Sequence, residues 1–195
     1  MTAHNSAGEV LSPTHLAHIV IKTPRYESMV AFYKTVLGAR STFENANAAF
    51  LTYDHEHHRI ALINQPDLDK NISSRDRPGL HHVAFTFNSL RELTTAYSQR
   101  KALGILPVWC TNHGPTTSMY YEDPDGNRIE TQVDNFDTSQ EAIDYMTSGE
   151  FLKNGVGASF DPEDLIKKLD SGVPESELKK PVVALHREMD DIPIL

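Results

Sequence analysis

No stretch of the chain approaches the roughly 20 consecutive apolar residues that a membrane span requires. The first eleven residues carry neither the basic start nor the apolar centre of a signal peptide. The expectation is a cytoplasmic protein with no membrane partner. A single cysteine, Cys110, excludes an internal disulfide. Cationic residues are scarce too: 18 Lys and Arg stand against 27 Asp and Glu, a formal charge of −9, so no nucleic-acid surface is expected. With 39% hydrophobic and 23% charged residues, the disordered and fibrous classes are excluded, and 195 residues fit one globular domain with an appended tail. Asn71, Ile72 and Ser73 match a glycosylation acceptor by chance, since no secretion signal accompanies them. The expected partner is a small molecule. Histidine, by contrast, is plentiful: there are ten.

An internal repeat organises the chain. Ala17-His18-Ile19-Val20-Ile21-Lys22 is answered 64 positions later by His81-His82-Val83-Ala84-Phe85-Thr86. Both read as strands, and each leads into a helix. The first is expected from Thr23 and Pro24 through Leu37 to Gly38, the second from a Ser89/Glu92 capping box through Leu103 to Gly104. Met29, Phe32, Tyr33, Val36 and Leu37 share one helical face, as do Leu90, Leu93, Tyr97 and Leu103, so each helix should cover a sheet. Three further strands follow in each half: 41–44, 48–53 and 58–64, then 105–111, 116–122 and 127–133. The last hairpin turns through Asp123-Pro124-Asp125-Gly126-Asn127. Arg59-Ile60-Ala61 matches Arg128-Ile129-Glu130 at an offset of 69. The expected class is therefore α+β, with paired βαβββ modules over 14–66 and 79–135 forming curved sheets around a cavity. A polar linker joins the modules, and a C-terminal helical extension occupies 136–195, with short helices near 139–146 and 161–169 around Gly155 and Gly157.

Side-chain parity then points to chemistry. Residues two apart in a strand share a face, so Ile19 and Ile21 belong under the helix and His18 with Val20 face the cavity. The repeat sends His82 the same way, and parity adds Glu130 with Gln132. A lone strand histidine is usually structural. Two at equivalent repeat positions, with a carboxylate on the last strand, are more economically read as metal ligands. Two imidazoles and one carboxylate, with other positions open, suit the facial triad of non-haem Fe(II) oxygen enzymes. With Fe(II) the site carries +1, which favours a dianionic chelating substrate.

The segments Ala17 to Val20, Tyr33 to Gly38, Leu80 to Phe85 and Tyr121-Glu122-Asp123-Pro124-Asp125-Gly126-Asn127-Arg128-Ile129-Glu130 together resemble the vicinal-oxygen-chelate superfamily, which holds glyoxalase I, bleomycin-resistance proteins and type I extradiol dioxygenases. Glyoxalase I enzymes use four protein ligands, whereas the first-module equivalent of Glu130 is Ala61, which cannot ligate. Bleomycin-resistance proteins have no metal triad. The resemblance to extradiol enzymes, which use three ligands, implies His18, His82 and Glu130 on Fe(II), with Mn(II) as the alternative ion. It also implies His58 as acid-base residue, Tyr120 as the active-site tyrosine, and His113, with a register open by one residue, near the substrate hydroxyl. The implied reaction is ring cleavage of a catechol-type aromatic with O2, and a homodimer is compatible with it. Two alternatives stand beside this reading: another metal-dependent enzyme of the superfamily, such as an isomerase, epimerase or glyoxalase, and a non-catalytic binder of aromatic compounds. Many extradiol enzymes have four modules; two and a tail are present here.

Overall fold

The structure, a computed structural model, describes residues 10–71, 78–152 and 157–182. Residues 72 and 73 of the acceptor-like triplet, Gly155 and the end of the extension beyond 182 lie outside the described residues. The chain divides into two compact units, 1–69 and 70–195.

The first unit is one βαβββ repeat: β1 (Ile19–Thr23), α1 (Tyr26–Val36), β2 (Arg40–Glu44), β3 (Ala48–Thr52) and β4 (Ile60–Asn64). The strands lie in the order β1, β4, β3, β2, with β1 and β4 parallel and the rest antiparallel. Register gives each face its character. Ile19 and Ile21 pair with Ile60 and Leu62, which pair with Leu51 and Ala49. Those four β3 and β4 side chains are buried, and Met29, Val30, Tyr33 and Val36 of α1 are buried at helical spacing. The other face carries Val20, Ala61, Phe50 and Phe43 as one cross-strand row. Here Val20 stays 56% exposed. The helix begins two residues later than Pro24 suggests. Thr23 remains in the ladder opposite Asn64, and its hydroxyl accepts from Arg25 N at 2.9 Å, so Pro24 and Arg25 turn the corner before α1.

The second unit repeats the pattern with β5 (His82–Thr86), α2 (Leu90–Ala102), β6 (Trp109–Asn112), β7 (Thr116–Glu122) and β8 (Arg128–Asp134). The extension adds α3 (Ser139–Thr147), α4 (Gly149–Leu152), β9 (Ala158–Ser159), α5 (Pro162–Asp170) and α6 (Glu175–Leu178). The sheet runs β5, β8, β7, β6, β9. Its covered face sends Met119, Tyr121, Val133 and Cys110 against Leu90, Leu93 and Tyr97 of α2 and Leu165 and Leu169 of α5. Three expectations need correction. The strand expected from Ile105 starts at Trp109, because Pro107 has no N–H for the ladder. The capping box at α2 is half-formed: Ser89 Oγ accepts from Glu92 N at 3.1 Å, but the Glu92 carboxylate turns to Asn88 N at 2.9 Å. The extension is also not purely helical, since β9 joins the sheet edge beside β6. Among the described residues, no helix is long and apolar enough to cross a membrane.

Candidate active site

In the second unit, the sheet face turned away from α2 and α5 carries the chemistry. One row crosses four strands: Ala84, Glu130, Tyr120 and Trp109 are successive cross-strand partners. The next row holds Thr86, Gln132, Ser118, Thr111 and Ser159. The turn between β7 and β8 fixes this register. Asp123 Oδ1 accepts from Asp125 N at 2.9 Å and Asn127 N at 2.8 Å, and Gly126 takes the positive φ of 84° that closes the loop. Tyr120 therefore stands opposite Glu130.

Glu130 is 5% exposed, and its Oε2 lies 3.1 Å from His82 Nε2. Burial pushes this carboxyl up, yet hydrogen bonds from His82 and Ser118, the His82 charge and the Tyr120 hydroxyl together hold it below the usual glutamate value. Tyr120 moves the other way: burial, then the Glu130 charge and the hydrogen bond to it, push the phenol well up, so it stays protonated and able to donate. His113 Nε2 meets the Tyr120 hydroxyl at 2.9 Å. A hydroxyl that donates to Glu130 accepts from Nε2–H of His113, so the three groups form one chain. The Trp109 indole stacks on Tyr120 at 5.2 Å between centroids and meets His113 edge-on at 5.2 Å.

The first unit brings His18 and His58 together. Their rings are 4.2 Å apart, and His58 also stacks on Phe50 at 4.9 Å and touches His57 at 4.4 Å. His58 precedes β4 in irregular backbone, which frees it from strand parity and turns its ring onto the row that holds Phe50 and Ala61. Burial pushes its imidazole pKa down, and the neighbouring His18 and His57 add to that. Ala61 occupies the register position in this sheet that Glu130 holds in the other: it pairs with Val20 as Glu130 pairs with Ala84.

Three residues with site roles were not singled out from sequence. Arg59 donates from Nε to Asp54 Oδ2 at 3.0 Å and from Nη1 to the carbonyls of Leu16 and Ala17 at 2.9 and 3.0 Å, tying down the segment that carries His18. Trp109 and Ser118 share the parity of Tyr120's row and its neighbour, a signal available once β6 and β7 are paired. Among the described residues, no group of three or more His, Cys, Asp or Glu is placed to hold a metal ion. The pair that does converge, an imidazole nitrogen and a buried carboxylate with its own hydrogen-bonding partners, fits a divalent first-row ion by donor chemistry.

Residues 15–131 match the family model of the Glyoxalase/Bleomycin resistance protein/Dioxygenase superfamily. Biphenyl-2,3-diol 1,2-dioxygenase 3 of Rhodococcus globerulus is 43% identical over 177 residues, covering 91% of this chain and 93% of that protein. Metapyrocatechase 2 of Cupriavidus necator is 27% identical over 84% of this chain, which corresponds to 46% of that protein. Among solved structures, a glyoxylase/bleomycin resistance protein/dioxygenase domain from Frankia sp. EAN1pec superposes with a TM-score of 0.55 at 14% identity, covering 67% of this chain and 98% of that one, which speaks to fold alone.

Proposed function

The chain belongs to the glyoxalase/bleomycin resistance protein/dioxygenase superfamily, and from that premise we infer that it is an extradiol dioxygenase, cleaving the ring of a vicinal dihydroxy aromatic with O2. The observation that carries this is near-full-length identity of 43% to a biphenyl-2,3-diol 1,2-dioxygenase. The row of Glu130, Tyr120 and Trp109 beside His82 supports it, because it offers metal donors, a proton-bearing phenol and a flat aromatic wall on one face. A catechol with an aryl substituent, as in biphenyl-2,3-diol, is the favoured substrate. The chain is assigned to the cytoplasm, where its lone thiol, buried with its pKa pushed up to about 12, stays protonated and inert.

The proposed cofactor is Fe(II), which His18, His82 and Glu130 would hold. When bound it supplies a chelation point for the two vicinal oxygens and the one-electron chemistry with O2 that side chains lack. The remaining work belongs to the chain. Tyr120, kept protonated by burial and Glu130, turns its one O–H from Glu130 toward a substrate oxygen as the first hydroxyl ionises. His113 Nε2 orients that phenol. His58, whose lowered pKa favours the neutral base, accepts the second hydroxyl proton and returns it as the ring opens. Trp109 presents an aromatic face that matches a flat substrate.

The test is anaerobic loading with Fe(II) followed by oxygen-electrode measurement with biphenyl-2,3-diol and with catechol. Iron-dependent uptake and a yellow ring-opened product are expected, and His82→Ala and Glu130→Ala should lose both iron and uptake. Ligand binding without iron-dependent uptake would leave a non-catalytic binder.

A further inference from the structure

The extension is not needed to complete either βαβββ repeat, and beside its contacts with α2 a separate group of contacts meets one short segment, Thr111 to Gly114, that carries His113. Ala158 and Ser159 pair with Asn112 and Thr111 as an added strand. Asn112 Nδ2 donates to the Lys180 carbonyl at 3.1 Å, while its Oδ1 accepts from Gly114 N at 2.8 Å. Gly157, at φ +93°, comes so near that a Cβ there would lie 2.8 Å from both His113 Cα and Thr111 Oγ1, and would also strike the Asn112 carbonyl. Gly114, at φ +95°, is covered by the Tyr145 ring of α3, whose atoms would lie 2.5 to 2.9 Å from a Cβ at that position.

A second path from the extension ends at the same pair. Trp109 Nε1–H donates to Ser159 Oγ at 3.1 Å. That indole, 8% exposed, lies parallel to Tyr120 within 23° and nearly perpendicular to His113, at 81°. His113 and Tyr120 then meet at 2.9 Å. These contacts are of kinds that fix position: main-chain pairing, glycine close approach and one oriented N–H. The apolar burial that stabilises the extension lies elsewhere, where Leu165 and Leu169 pack with α2. Holding and stabilising are thus done by different parts of it.

We propose that the extension is a positioning element of the ring-cleaving site: Ser159 acting through Trp109, and Gly157 acting through the His113 backbone, hold the His113–Tyr120 pair in its working geometry. The kinetic consequence rests on the dioxygenase reading; the mechanical one does not. Trp109 is the only tryptophan of the chain, so its emission reports this contact directly.

The experiment compares the parent with Ser159→Ala, Ser159→Thr and Gly157→Ala, measuring kcat and KM for biphenyl-2,3-diol at matched iron and, separately, Trp109 emission in iron-free protein. Ser159 is exposed, so its truncation should leave the thermal midpoint near the parent's. Ser159→Ala should lower kcat by about tenfold with little change in KM, since small misplacement of reacting groups is costly, and should shift the emission. Ser159→Thr, which keeps the hydroxyl, should restore both. Folded Gly157→Ala should lose kcat at least as far. Parental kcat and emission in Ser159→Ala, or equal damage in the Ala and Thr variants, would overturn the proposal. If the parent itself opened no ring, the dioxygenase reading would fall, while the emission of the Ala and Thr variants would still decide the positioning.

Discussion

Tyr120→Phe removes one oxygen and leaves the ring. The stack on Trp109 at 5.2 Å and the edge contact with His82 at 5.6 Å survive in a phenylalanine, so packing changes little. What disappears is a donor to Glu130 and the partner of His113 Nε2 at 2.9 Å. A hydrogen bond to a charged group contributes about 1.5–3 kcal/mol. At about 1.36 kcal/mol per decade of rate, its loss from the reacting state corresponds to roughly 10- to 150-fold in kcat/KM. Because Tyr120 is not assigned as a ligand, iron content should stay at the parent's level. The assay is steady-state turnover of biphenyl-2,3-diol with iron quantified in the same preparations. Parental kcat/KM at matched iron would refute the reasoning. So would loss of iron, which would show that the hydroxyl serves only to hold Glu130.

His58→Phe keeps the stack on Phe50 and should retain iron and anaerobic catechol binding while slowing turnover by roughly 10²- to 10⁴-fold, the usual contribution of a positioned acid-base group; His57→Phe, measured alongside, should do far less. Leu169→Ala, at a side chain 4% exposed between α5 and α2, should cost about 2–5 kcal/mol in urea unfolding, and a parental midpoint would show that α5 contributes nothing to the unit. The Glu163 carboxyl is held below its ordinary 4.5 by the hydrogen bond from Lys101 and then that from Tyr97. A depressed carboxyl stabilises the fold above its unfolded value, and that contribution is lost as pH falls through the folded one. Glu163→Gln should therefore lower the thermal midpoint at neutral pH, and the offset should shrink as pH falls below 4.5 toward the depressed folded value; an offset that did not shrink in acid would rule out the charge as its origin.

The repeat, the parity and the turn carried most of the fold and much of the site, because each is a local rule written in neighbouring residues. His82 and Glu130 could be set on one face from spacing alone, and the Asp123 to Asn127 turn is legible as a tight loop whose register puts Tyr120 opposite Glu130. What local rules do not contain are contacts made across long stretches of chain. Arg59 reads as a repeat match to Arg128, but its grip on the Leu16 and Ala17 carbonyls spans more than forty residues. The β9 strand is two residues long beside Gly157, too short to show alternation, so neither its place beside β6 nor the bond from Trp109 to Ser159 is visible without the fold. His58 is the intermediate case. Strand parity from Ala61 would turn it away, and only the irregular backbone before β4 reconciles its position with its contact to Phe50.

The central claim is that this chain inserts both atoms of one O2 into an aromatic diol, and one measurement addresses it without intermediaries. Iron-loaded protein turned over with biphenyl-2,3-diol under isotopically labelled dioxygen should give a ring-opened product carrying two labelled oxygens, with one O2 consumed per ring. Mass spectrometry of that product decides the matter. Recovery of intact diol, or of a product with a single labelled oxygen, would contradict the account.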